Sequence, residues 1–155
     1  MTRICALLLF LALGACGFTP VYAPDGAGTV LQNQVLVDKP DDRAGFLLVR
    51  RLEERLGRAG DPTFRLAVDL TVTEEARAID PDGDIRRIHL IGTAEYALSD
   101  LATGAQMESG KVDTFVGYSA TGTTVATLAA RRDAQERLMI ILADQIVLQL
   151  QGSDL

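Results

Sequence analysis

Three consecutive stretches of alternating apolar and polar residues constrain this chain more than any other feature. Phe64, Leu66, Val68, Leu70 and Val72 interleave with Arg65, Ala67, Asp69, Thr71 and Thr73. Successive side chains of a strand point to opposite faces, so this period of two describes a strand with one dry and one wet side. Ile88, Leu90, Ala94, Tyr96 and Leu98 form a second set, facing away from His89, Ile91, Thr93, Glu95 and Ala97. Val112, Thr114, Val116 and Tyr118 mark a third strand over residues 106–118, in which Gly110 reads as a bulge. Asp80-Pro81-Asp82-Gly83 and residues 100–104 supply the turns. Connections this short cannot make a parallel crossover, so the three strands form an antiparallel meander.

Helical periodicity flanks the meander. Val49, Leu52, Leu56 and Ala59 recur at spacings of three and four within residues 44–59, with Phe46 and Leu48 widening the stripe. Asp41 or Asp42 is placed to cap this helix, and Gly57 or Gly60 to end it before Asp61-Pro62. Arg50–Glu54 and Glu54–Arg58 are candidate ion pairs on its wet side. Upstream, residues 30–37 read as a short strand whose best buried candidates are Leu36 and Val37, stopped by Lys39-Pro40. The last element, from Thr123 or Thr124 to about Leu150, is the longest. Its second half is apolar around most of its circumference, more than one sheet layer covers, so it leans towards a partner as well as a core. The order strand, helix, three strands, helix predicts an α+β fold. It is a two-layer sandwich in which two helices pack on one face of an about four-stranded, mostly antiparallel sheet.

Composition narrows the function. The 155 residues carry a formal charge of −6. A sequence-independent grip on nucleic acid needs a basic surface, so nucleic acid is not an expected partner. One histidine and two cysteines cannot build an ordinary structural zinc site. Asp80, Asp82 and Asp84 resemble the opening of a calcium loop, but no well-placed glutamate completes it. Glu74 and Glu75 are strand neighbours pointing apart, a poor acid–base pair. His89 has no sequence-evident nucleophile beside it, and Ser99, Ser109 and Ser119 lack a Gly-x-Ser-x-Gly setting. The chain is therefore not expected to be an enzyme, and no catalytic, cofactor-binding or metal-binding residue is expected. Arg86-Arg87 is a local basic exception near a turn, suited to bidentate bonds with phosphates of an anionic lipid, and Arg131-Arg132 is a second such pair.

The amino terminus reads as an address. Arg3 precedes a nearly unbroken apolar run from Ile4 to Leu13, followed by Leu13-Gly14-Ala15-Cys16. About ten apolar residues cannot cross a bilayer as a helix, which takes roughly 20, but they suit a signal peptide. The tetrapeptide resembles a lipobox, as in bacterial lipoproteins. That resemblance implies cleavage before Cys16, with S-diacylglycerol on its thiol and an N-palmitoyl group on the new amino terminus. Residues 1–15 are then the signal peptide, residues 16–29 a lipid-anchored tether and residues 30–155 a single domain. Gly17 follows the cysteine where lipoproteins held in the inner membrane of enteric bacteria usually carry Asp, which permits the outer membrane. With Cys5 removed and Cys16 acylated, the mature domain holds no free thiol, a composition suited to an oxidising periplasm.

The segment Cys16-Gly17-Phe18-Thr19-Pro20-Val21-Tyr22 resembles the mature start of alphaproteobacterial members of the lipopolysaccharide-assembly lipoprotein family, LptE. Ala134, Arg137, Leu138, Ala143-Asp144-Gln145-Ile146 and Leu150 are similar to the end of such chains. The resemblance implies a non-enzymatic subunit of the outer-membrane lipopolysaccharide translocon, free of cofactors. Such a subunit assists assembly of a β-barrel partner, LptD, and plugs its lumen while lipopolysaccharide enters the outer leaflet. Cys16 carries over as the lipidated residue, placing the domain at the periplasmic face of the outer membrane. Arg86, Arg87 and Lys111 are charge-based candidates for lipopolysaccharide contact. The alternative is a periplasm-facing lipoprotein that itself binds a lipid or small apolar ligand, which a solvent-open internal pocket would favour.

Overall fold

The computed structural model describes residues 21–22, 26–79 and 85–153. The expected signal peptide, Cys16, most of the expected tether and the expected turn at Asp80-Pro81-Asp82-Gly83 lie outside them. The elements in chain order are α1 (Ala27–Leu31), β1 (Val35–Val37), α2 (Arg43–Leu56), β2 (Phe64–Ile79), β3 (Ile85–Asp100), β4 (Gln106–Ser119) and α3 (Thr124–Gln151). The strands form one sheet in the order β1-β2-β3-β4. β2, β3 and β4 pair antiparallel as a meander, whereas β1 runs parallel to β2. The parallel pair is possible because α2 carries the chain back between the two strands.

The alternation of the three long strands reappears as two faces. Leu66, Leu90, Ala94, Tyr96, Leu98, Val112, Val116 and Tyr118 are buried, and the pairings Leu66 with Leu98, Leu90 with Val116 and Ala94 with Val112 place them on one side. Both long helices lie on that side. α3 packs on β3 and β4, while α2 packs on α3 and on β1. The core is Leu48, Leu52 and Leu56 of α2 against Leu138, Leu142 and Ile146 of α3 and the dry sheet face. The expected two-layer α+β sandwich is thus the fold observed, with a mixed, open sheet.

Local chemistry sets the boundaries. Asp42 caps α2, its Oδ1 accepting from the Gly45 N–H at 2.7 Å. α2 ends at Leu56 rather than near residue 59, because Gly57 leaves the helix at φ +78° and the Asn33 N–H donates to the Leu56 carbonyl at 2.7 Å. A Cβ at Gly57 would lie 2.1 Å from Asn33 Oδ1, so both backbone angle and space demand glycine. Thr123 caps α3 through its hydroxyl, which accepts from the Ala126 N–H at 3.2 Å.

Several details depart from expectation. Residues 27–31 are helical, so β1 is only three residues long, and its buried member is Val35 while Leu36 is 47% exposed. A register one residue off moves every side chain to the other face. In α2 the buried row is Ala44, Leu48, Leu52 and Leu56 with Leu47, leaving Phe46 outside. Arg58 pairs with Glu53 at 2.9 Å instead of with Glu54. Gly110 sits in unbroken register opposite Tyr96, and the irregularity falls between Leu98 and Ser99. Its lack of a side chain serves a close approach: a Cβ there would lie 2.6 Å from Tyr96 Oη, which donates to Gln149 Oε1 on α3 at 2.8 Å.

A clamp fixes α2 against α3. Asp144 accepts from Arg51 Nε and Nη2, both at 3.0 Å, and from Arg55 Nη1 at 2.7 Å. Burial alone would raise the Asp144 carboxyl, but the hydrogen bonds and charges of Arg51 and Arg55 outweigh it and hold the pKa below the ordinary value. A lowered native pKa means stability present above the unfolded-state value and lost as pH falls through the native one. Asp144→Asn should therefore cost about 1 kcal/mol at neutral pH, and the gap to the unaltered protein should close below about pH 4. Urea midpoints across pH measure this directly.

Candidate interaction surface

The sheet face turned away from the helices is open. From the pairings it carries Asp69, Thr71, Thr73 and Glu75 of β2, Arg87, His89, Ile91, Thr93 and Glu95 of β3, and Lys111, Asp113, Phe115 and Gly117 of β4. His89 and Phe115 stack on it, with ring centroids 4.8 Å apart and planes 16° from parallel. Gly117 lies opposite His89, where a Cβ would stand in ordinary contact, 3.4 Å from His89 Cδ2. Phe115 remains 59% exposed, and with Arg77, His89 and Ile91 it lines a shallow cavity of about 360 Å³. Its rim is of mixed charge, with Arg77 paired to Glu75 and Asp113 on the same lining, so the exposed aromatic platform suits an amphipathic partner.

The three basic candidates do not gather in one place. Arg86 and Arg87 are neighbours on a strand and so project to opposite faces. Arg87 stands on the open face beside Gly117, near the His89–Phe115 stack. Lys111 shares that face but pairs with Glu95 at 2.8 Å, and each holds the other in its charged form. Eight residues of strand separate Glu95 from Arg87, roughly 27 Å. Arg131 of the second pair is engaged by Glu74, on the helix side of the sheet, whereas Glu75 pairs with Arg77. The stack was missed in the sequence because His89 and Phe115 sit on different strands and meet only diagonally.

A second exposed region lies along α3. Eight of its residues, including Leu138, Met139, Leu142, Ile146 and Leu150, are buried, yet Leu148 is 63% exposed, and Val125, Leu128 and Ile141 also face out. Leu148 borders a cavity of about 380 Å³ with Lys111, Asp113, Gln145 and Gln149 at the outer edge of β4. Among the described residues no helix is long and apolar enough to cross a membrane, and no cluster of three or more His, Cys, Asp or Glu could hold a metal ion.

Two helices thus cover one side of the sheet, leaving the opposite face and several apolar side chains of α3 exposed. A family model described as LptE, lipopolysaccharide-assembly, matches residues 32–150. The chain belongs to the LptE family of lipopolysaccharide-assembly lipoproteins, which is non-enzymatic. Among solved structures, a protein from Caulobacter crescentus described as a lipoprotein is 27% identical, with a TM-score of 0.68 over 81% of this chain and 92% of that one. The rare lipoprotein B of Shewanella oneidensis is 16% identical, with a TM-score of 0.58 over 76% of this chain and 91% of its own. A minor lipoprotein from Acinetobacter baumannii is 18% identical, with a TM-score of 0.55 over 77% and 89%. The last two share the fold. No curated protein matches the sequence significantly.

Proposed function

We propose that this chain is the lipoprotein subunit of the outer-membrane lipopolysaccharide translocon, assisting assembly of an LptD-like β-barrel and plugging it during lipopolysaccharide insertion. The family match over residues 32–150 carries this reading. Acylated Cys16 anchors the domain to the periplasmic face of the outer membrane and raises its local concentration near the barrel. The open sheet face and the apolar side chains of α3 supply contact surface for the lumen. The core favours this reading over direct capture of an apolar ligand, because Leu66, Leu98, Leu138, Leu142 and Ile146 are packed without solvent, and the open groove of about 790 Å³ beside β2 is lined by charged residues such as Asp38, Lys39, Asp41 and Asp69.

Of the basic candidates for lipopolysaccharide phosphates, Arg87 is best placed, exposed beside the aromatic platform, whereas Glu95 neutralises Lys111. Purified protein carrying Arg87→Glu should bind lipopolysaccharide about fivefold more weakly, while Lys111→Glu should change binding less than twofold. Equal losses, measured by microscale titration, would remove the ranking. Conditional depletion in the native cell tests the function as a whole. Surface lipopolysaccharide and the amount of folded barrel should fall together, and unchanged levels of both would refute the proposal.

A further inference from the structure

β1 stops at Val37, and with it the cover on the outer edge of β2. Even-numbered residues of β2 turn their backbone groups towards β1: the Phe64 N–H donates to the Gln34 carbonyl at 3.0 Å, and the Leu66 carbonyl accepts from the Asp38 N–H at 2.9 Å. Alternation along the strand aims the N–H and C=O groups of Val68, Leu70 and Val72 the same way. Among the described residues these groups have no partner on that edge. Sheet edges are usually blunted by proline, lysine or a bulge, yet residues 67–75 contain neither proline nor lysine, and the first register shift comes between Ala76 and Ala78. From Val68 to Val72 the edge is regular, with Asp69 its one charged side chain.

A groove of about 790 Å³ runs beside it, walled by Val49 of α2 over the buried Leu48 and by residues 38–42, where Lys39 and Pro40 stand among three carboxylates. Asp38 is committed to Arg65, Glu95 to Lys111 and Asp42 to the α2 cap. That leaves Asp41 and Asp69 as the groove acids with neither an ion pair nor a cap bond among the described residues, against one unpaired base, Lys39. A row of unpaired amide groups is matched by extended backbone, the apolar wall by alternate apolar side chains, and the two free acids by basic ones.

The geometry points to a strand-docking site at Val68, Leu70 and Val72 that takes an extended segment of a protein partner, with basic and apolar residues in alternation, as an added strand. This site lies at the β2 edge, where it shares Asp69 with the open sheet face, and it does not depend on the translocon reading. A second copy of the chain is a poorer occupant, because pairing β2 with β2 would bring carboxylates such as Asp69 together across the join.

The test uses the full acylated chain in detergent micelles and an acetylated, amidated octapeptide of alternating Lys and Val. Peptide should slow hydrogen exchange at the amides of Val68, Leu70 and Val72 about tenfold, read residue by residue by NMR. Asp69→Lys, at an exposed and unpaired position, should weaken binding about fivefold without altering the far-UV spectrum. The same peptide with alternate amides methylated should not bind, a control that leaves the protein untouched. Unchanged exchange at these amides, or binding indifferent to both Asp69→Lys and backbone methylation, would overturn the proposal. Protection that grows with protein concentration in the absence of peptide would also overturn it, by assigning the edge to a second copy.

Discussion

Replacing Cys16 with serine is expected to abolish palmitate labelling and to move the protein out of the outer-membrane fraction. The magnitude follows from the anchor. Each methylene buried in lipid contributes about 0.8 kcal/mol, so one chain holds a protein marginally and several hold it durably. No described helix could replace that anchor by spanning the bilayer. The core among the described residues is built from side chains between Leu31 and Leu150, so the variant should keep the melting temperature of the unaltered domain. Its loss of function would then be one of location, recoverable by attaching a different lipidated leader. Persistent palmitate on the serine variant would show that the anchor lies elsewhere.

Leu142→Ala is expected to be the most damaging truncation in the core, costing about 3–5 kcal/mol in urea unfolding. Leu142 is solvent-free, and its Cδ1 lies 2.8 Å from where a Cβ on Gly92 would stand. Gly92 lies beneath Leu138 and Leu142 of α3, and the absent side chain leaves room for both. The two positions should therefore couple. Gly92→Ala alone overpacks the interface and should cost about 1–3 kcal/mol, since Leu138 also stands 3.1 Å away. In the Leu142→Ala background the same methyl partly fills the cavity, and the double variant should be less damaged than the sum by about 1 kcal/mol or more. Strict additivity would mean that helix and sheet do not meet at this point.

What could be read from the chain depended on whether the physics was local. The three long strands were legible because one face of the meander is wet, so period two survives through Val72, Leu98 and Tyr118. The ends of α2 were nearly legible from Asp42 and Gly57, which act on backbone groups within a few residues. The pairing of β1 was not, because three residues carry too little pattern to distinguish Val35 from Leu36, and its parallel direction depends on a partner 29 residues away. The Arg51–Arg55–Asp144 clamp and the His89–Phe115 stack each join separate elements, so no spacing rule announces them. Arg86 and Arg87 show the converse: adjacency suggested a patch, and strand geometry divides it. The strip of α3 left uncovered at Leu148 was foreshadowed by apolar residues around most of that helix.

The most direct measurement is gentle detergent extraction of native outer membranes, followed by affinity purification of the full-length, acylated protein and determination of its stoichiometry. A translocon subunit should emerge with a large β-barrel protein at close to one copy each, and Cys16→Ser should deplete that complex. Recovery of this lipoprotein alone, as a monomer, under conditions that keep other outer-membrane assemblies intact would contradict the account.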